Sequence, residues 1–291
     1  MAPIIRTTDE RAVRILDATG VIYELVETPK QMDIKPVSEV QETPIDYQIN
    51  PSDFIILEGK SGREGYPDLW VCKYRLGANP AVVSAGKQIG INIKNTAQEK
   101  NGREYIGDIN RERALKLNLV LGGRTLNTRP GKDFFALLLS GKAFDGKGKR
   151  VSKTELSQIA DEIMGVRDPY RDEWFGDYFT GEQDSLILNK NYVLKNNVLV
   201  PEYSHNLTAC LMEDRTPGIN LKSWLENSTA QGFPKKNIKS GELYYWHPEK
   251  DKAVRFGADS GDALLSCDRY PQSADARLGV RHVREAHAQK N

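Results

Sequence analysis

Cys267 is the side chain of this 291-residue sequence closest to a nucleophile pattern. A thiol attacks as its thiolate, and the thiolate needs a base or a cation beside it. Arg269 follows two residues on and, at strand spacing, would share Cys267's face. No Ser-His-Asp pattern accompanies it, so a buried structural thiol is the better reading. The four histidines, His205, His247, His282 and His287, lack metal-ligand spacing. Cys72, Cys210 and Cys267 include no CxxC pair, which sets aside a zinc ribbon or thioredoxin-type site and leaves three free, buried thiols as the expectation. Asp145-Gly-Lys-Gly-Lys149 lacks the spacing of a phosphate loop and reads as a tight turn. The run Asp168 to Trp174 mixes acids, a base and aromatics; a surface loop anchored by Tyr170 and Trp174 is preferred over a carboxylate site. Tyr244-Tyr-Trp-His247 reads as a core strand with Trp246 buried. Neither metal nor cofactor is expected, and the chain reads as a non-enzyme.

Elements must position any surface that remains. The N-terminal hundred residues read as a small α/β unit: a helix from the Thr7/Glu10 capping box to Gly20, a strand over 21–26, and a proline-punctuated loop from Pro29 to Pro51. Strands are expected at Phe54–Leu57 and Leu69–Tyr74, and a helix opens at Asn79-Pro80. Asn95 to Arg103 is polar and is the expected boundary to a second domain, 101–291, of α+β class. There, helices are expected over Arg111–Leu121, ended by Gly122-Gly123, over Pro130–Ser140, and after the Ser152/Glu155 capping box, where Leu156, Ile159, Ala160 and Ile163 form a stripe. Ser185–Leu188 and Tyr192–Leu194 suggest a hairpin, and Asn220 a helix cap before Trp224.

Hydrophobic residues make up 39% and charged ones 28%, enough for a packed core. Lys and Arg number 41 against 40 Asp and Glu, a net charge of +1 that argues against a non-specific nucleic-acid partner. No apolar window reaches the ~20 residues of a membrane helix. No secretion signal is read at the start, so the two sequons at Asn206 and Asn227 are taken as chance and the cytoplasm as the default address. Oligomeric state is left open.

The segment from Ala253 to Arg284 reads as a frame with slots. Phe256, Ala258, Ser260, Ala263, Leu265, Cys267, Arg269, Pro271, Leu278, Gly279, Val280, Arg281 and Val283 look like scaffold. Between them stand Gly257, Asp259, Gly261, Asp262, Leu264, Ser266, Asp268, Tyr270, Ser273, Asp275 and Arg277, a chemically assorted set. Alternation along a strand sends such a set to one face. An assorted accessible face suits binding better than catalysis.

Leu278-Gly-Val-Arg-His-Val-Arg284, behind Ser-Ala-Asp-Ala-Arg277, resembles the C-terminus of variable proteins from diversity-generating retroelements, the archaeal members in particular. The likeness extends to Gly241–Trp246, Asp168–Trp174 and Gly107–Gly123. It implies a C-type-lectin-like domain whose terminal segment is rewritten by adenine-directed mutagenic reverse transcription. In that family, variable positions descend from asparagine codons whose two adenines change, and such codons cannot encode Gln, Glu, Lys, Met or Trp. All eleven slots pass; Gln272 fails and is left out.

The resemblance implies non-catalytic recognition of a macromolecular ligand, a protein, through those eleven residues. Tyr270 is the expected contact anchor, since tyrosine brings amphipathic area at low entropic cost. Asp259, Asp262, Asp268 and Asp275 would make the surface acidic and its partner basic. Arg281 and Arg284 would tie the last strand down through acids. Two other readings stand beside this one: a formylglycine-generating-type oxidase using Cys267, a fold relative with a similar terminal strand, and a structural fibre or assembly protein.

Overall fold

The computed structural model describes residues 50–286, Tyr47, and the backbone of 5–9, 12–16 and 22–26. Two compact units emerge, Met1–Thr43 and Pro44–Asn291. In the first, β1 (Ile5–Asp9), β2 (Ala12–Leu16) and β3 (Ile22–Val26) form an antiparallel sheet in that order. The helix expected from Thr7 is therefore replaced by strands. Val13 and Leu16 satisfy a helical spacing, but Val13 and Ile15 are β-branched, and pairing on both sides selects the extended form. The expected strand after Gly20 is β3. Residues 29–46 of the expected loop lie outside the described residues.

The second unit is a mixed α and β body. It begins with β4 (Phe54–Leu57) and β5 (Leu69–Arg75), then α1 (Pro80–Gln88), whose cap Asn79 accepts from the Val82 amide at 3.0 Å. A hairpin follows, β6 (Asn95–Gln98) and β7 (Glu104–Ile106). Next come α2 (Arg111–Val120), α3 (Thr128–Ser140) and α4 (Lys153–Met164). Ser152 caps α4 at the Glu155 amide, and the stripe Leu156, Ile159, Ala160, Ile163 is buried. The chain continues as β8 (Arg171–Glu182), β9 (Ser185–Lys195), β10 (Val198–Asn206), β11 (Arg215–Ile219), α5 (Leu221–Glu226), β12 (Leu243–Trp246), β13 (Ala253–Ala258), β14 (Ala263–Arg269) and β15 (Leu278–Glu285). Among the described residues no helix is long and apolar enough to cross a membrane.

Ten strands join one sheet, ordered β11-β12-β14-β13-β8-β15-β5-β4, with β9 and β10 continuing from β8. β12 with β14 and β15 with β8 are parallel; the other pairs are antiparallel. Successive residues face opposite ways, so Phe175, Phe256, Leu265 and Val283 enter a core with α3 and α4, while Trp174, Ala253, Leu278 and Val280 enter a second core with α1 and α2.

Several expectations change here. The boundary at Asn95–Arg103 falls inside the second unit, because β4 and β5 share the core of the closing strands and β5 pairs with β15. Asp168 to Trp174 is no surface loop: from Arg171 it is the start of a central strand, with Arg171, Asp172, Glu173 and Trp174 all buried. The expected hairpin within 185–194 is one strand, β9, and the turn comes later at Asn196-Asn197, both in the left-handed region that asparagine tolerates. In β12 the buried ring is Tyr245, its hydroxyl donating to the Leu211 carbonyl at 2.8 Å, and Trp246 is half-buried on the other face.

Arg281 locks β15 in place. It is 1% exposed, pairs with Glu173 on β8 at 2.9 Å, and donates to the Cys72 and Lys73 carbonyls of β5 at 2.8 and 2.6 Å. Arg284 donates to the Leu121 and Tyr47 carbonyls. Between them, His282 is fully buried, its pKa pushed down to about 3 by burial and by Arg284, with Nδ1 2.9 Å from Asn118 Oδ1. Arg281→Met leaves buried Glu173 with only the longer contact to Arg75 at 3.7 Å; chemical denaturation should show a loss of about 3 kcal/mol, the scale of breaking one side of a buried pair.

Candidate binding surface

The β13–β14 hairpin divides frame from slots. Phe256, Ala258, Leu265 and Cys267 are 0% exposed, as are Leu278, Val280 and Val283 of β15. Partners run Ala258 with Ala263, Phe256 with Leu265 and Arg255 with Ser266, but the next pair is Ala253 with Arg269. Val254 alone on β13 thus opposes Cys267 and Asp268 on β14, a bulge. It reverses the expected sharing of a face: Cys267 stays in the core and Arg269 comes out beside Arg255. The three cysteines are free and buried. Burial, then Cys210, pushes the Cys267 thiol well above its usual range.

The eleven slot residues do not form one accessible face. Tyr270 is 64% exposed, with Lys252 Nζ 3.4 Å from its ring centre. Gly261 and Arg277 are exposed; Asp259, Asp262, Asp268, Ser273 and Asp275 are half-buried at loops or the bulge. Leu264 and Ser266 are buried, because the neighbouring rings of Tyr244 and Trp246, which pair with them across β12, cover the strand. Gly257 is buried as well, and a Cβ there would collide with the Asp172 carboxylate. Close approach, not variation, accounts for a glycine at that position.

Beside these residues lies a polar floor that sequence reasoning missed. Asp172 is fully buried, and burial raises its pKa although Arg255 opposes this. Arg255 Nη1 meets both Asp172 and the Tyr170 hydroxyl, and Tyr170 donates to Asp172 at 2.5 Å. Ser266 donates to Asp268 at 2.7 Å. The available signal was the run Arg171, Asp172 and Glu173 opening β8 and the lone Arg255 among the apolar residues of β13, where only pairing makes burial tolerable.

The acids expected to face a ligand serve their own loops. Asp259 Oδ1 accepts the Gly261 and Asp262 amides at 2.7 and 3.0 Å, and Asp275 Oδ1 accepts that of Arg277 at 2.9 Å. Asp262 has its pKa raised by partial burial and by Asp259.

Main-chain carbonyls hold the long loop between β14 and β15. The Arg111 amide donates to Pro271 O at 3.0 Å and the Asp108 amide to Asp275 O at 2.8 Å. Thr96 Oγ1 donates to Ala276 O at 2.6 Å; the Tyr105 hydroxyl and the Asp172 amide both reach Arg277 O at 3.1 Å. Gly107 passes so near Ala276 that a Cβ would overlap its carbonyl oxygen. Each of these tethers to the rest of the fold ends on a backbone carbonyl of the loop, which any residue provides; the Asp275 side chain adds one bond within the loop.

Elsewhere, Thr96, Glu99, Glu162, Arg167, Arg171 and Arg277 line a polar cleft, and Leu139, Met164, Val166, Leu225, Phe256 and Ala263 an apolar groove. Among the described residues no cluster of His, Cys, Asp or Glu has metal-holding geometry. No family model, curated protein or solved structure matches the chain. Tyr270→Ala should change stability by no more than about 0.5 kcal/mol, as a surface substitution does, whereas Gly107→Ala should cost several times more by forcing the Ala276 carbonyl away. Thermal melts of the two variants side by side check this.

Proposed function

We propose that the second unit is a C-type-lectin-like receptor domain. Its loops from Asp259 to Asp262 and from Asp268 to Arg277 recognise a protein ligand without catalysis, and a retroelement diversifies them. One observation carries the reading. Most residues assigned to the frame from sequence fill the core, the exposed Ser260 and the half-buried Arg269 and Pro271 excepted, and most of the assorted ones lie in loops tethered through their backbone carbonyls. Such a loop keeps its path when its side chains change, which is what a diversified binding surface demands. Eight positions carry the variation: Asp259, Gly261, Asp262, Asp268, Tyr270, Ser273, Asp275 and Arg277. Gly257, Leu264 and Ser266 are buried, and this reading gives them packing roles.

The oxidase alternative rests on Cys267, and a fully buried thiol with a raised pKa and Arg269 on the opposite face is poorly placed for it. The fibre alternative has no specific observation in its favour.

A library randomised at the eight positions tests the proposal. Most members should be folded, with melting temperatures within a few degrees of the parent, and selection against a panel of immobilised proteins should yield binders of differing specificity. A library that is largely unfolded would contradict the reading; so would a folded one that never yields a binder while a library at eight surface positions remote from these loops does.

A further inference from the structure

The floor of the proposed surface carries an arginine, Arg269, whose buried Nε has no hydrogen-bond partner. Arg269 stands outside the slot set, on the face of Arg255 and Ser266. Arg255 is matched by Asp172. Lys252 is matched by Glu249 at 3.5 Å and lies over the Tyr270 ring. Arg269 has no carboxylate within ion-pair distance and no hydrogen bond to any described residue, and its Nε is buried without a partner. A guanidinium held half-buried in this way has lost part of its hydration, and the buried Asp172 that feels its charge is already paired with Arg255. The acids closest in sequence are committed elsewhere: Asp268 accepts the Ser266 hydroxyl.

We infer that Arg269 is a fixed anchor for an acidic side chain, Asp or Glu, of the protein ligand, which it receives through its terminal nitrogens beside Tyr270. This rests on the receptor reading and refines it by reversing the expected polarity of the partner, because the aspartates of the surface serve their own loops. A carboxylate matches the planar fork of a guanidinium in two-point geometry. Tyr244 and Trp246, half-buried across β12, add aromatic contact area to the same face. Phosphate would match the fork too, but a net charge of +1 leaves no basic surplus for a nucleic-acid backbone. Since Arg269 belongs to the frame, variants of the loops would share this anchor and differ around it.

The test is a titration of the full chain followed by nitrogen NMR of the arginine Nε groups, with hexaglutamate as probe, and hexalysine and a six-nucleotide DNA strand as comparisons. Hexaglutamate should shift the Arg269 Nε signal, hexalysine should not, and Arg269→Gln should weaken hexaglutamate binding on the order of tenfold, the scale of one charge-assisted hydrogen bond. The Nε signal in the unaltered protein keeps the test valid if the variant folds poorly. An Arg269 signal indifferent to hexaglutamate overturns the inference, as does equal binding by Arg269→Gln; tighter binding of the DNA strand would replace carboxylate by phosphate. The library experiment reads the receptor proposal without reference to Arg269, so either can fail alone.

Discussion

Arg281 brings a full charge into the centre of the second unit, and the surrounding architecture answers it. Glu173 supplies the counter-charge from β8 and the Cys72 and Lys73 carbonyls supply acceptors from β5, so one side chain stitches the last strand between its two neighbours. Arg75, fully buried next to the same carboxylate at 3.7 Å, reaches Glu99 on the β6–β7 hairpin and Glu162 on α4. A buried pair of this kind adds little net stability over an apolar replacement, yet it is costly to break, so it fixes where β15 must lie. With β15 fixed, the loop that precedes it has a defined end.

That loop is then free in its side chains and constrained in its backbone. Pro271, Asp275, Ala276 and Arg277 are all held through carbonyl oxygens by groups from 96 to 111 and from β8. The bulge at Cys267-Asp268 adds a second device. It keeps the thiol in the core while turning Arg269 outward, so that frame and floor are built from the same strand. Burial beneath and tethering at the backbone leave side chains such as Tyr270, Ser273 and Arg277 with little structural duty, while Asp259 and Asp275 add local caps to their own loops.

Much of this was legible in the sequence where local chemistry decides structure. Asn79, Asn110, Ser152 and Asn220 all accept backbone amides at helix starts, and those caps mark α1, α2, α4 and α5. The alternation of Phe256, Leu265, Leu278 and Val280 announced the buried frame. What the sequence hid was set by distant pairing. Val13 and Leu16 have a helical spacing, and only the neighbouring strands overrode it. Asp172 and Glu173 look like surface acids until Arg255 and Arg281 arrive from about 80 and 110 residues away in sequence to neutralise them. The bulge that separates Cys267 from Arg269 leaves no local mark, and neither does the cover that β12 places over Leu264 and Ser266.

Sequencing the DNA around this gene tests the central claim most directly. The account predicts a near-copy of the codons for Ala253 to Arg284 beside a reverse transcriptase, with differences confined to adenines and clustered at the loop positions from Asp259 to Arg277. A locus with neither the copy nor the reverse transcriptase would contradict it, and so would a copy whose differences fall on the codons of Phe256, Cys267 or Arg281.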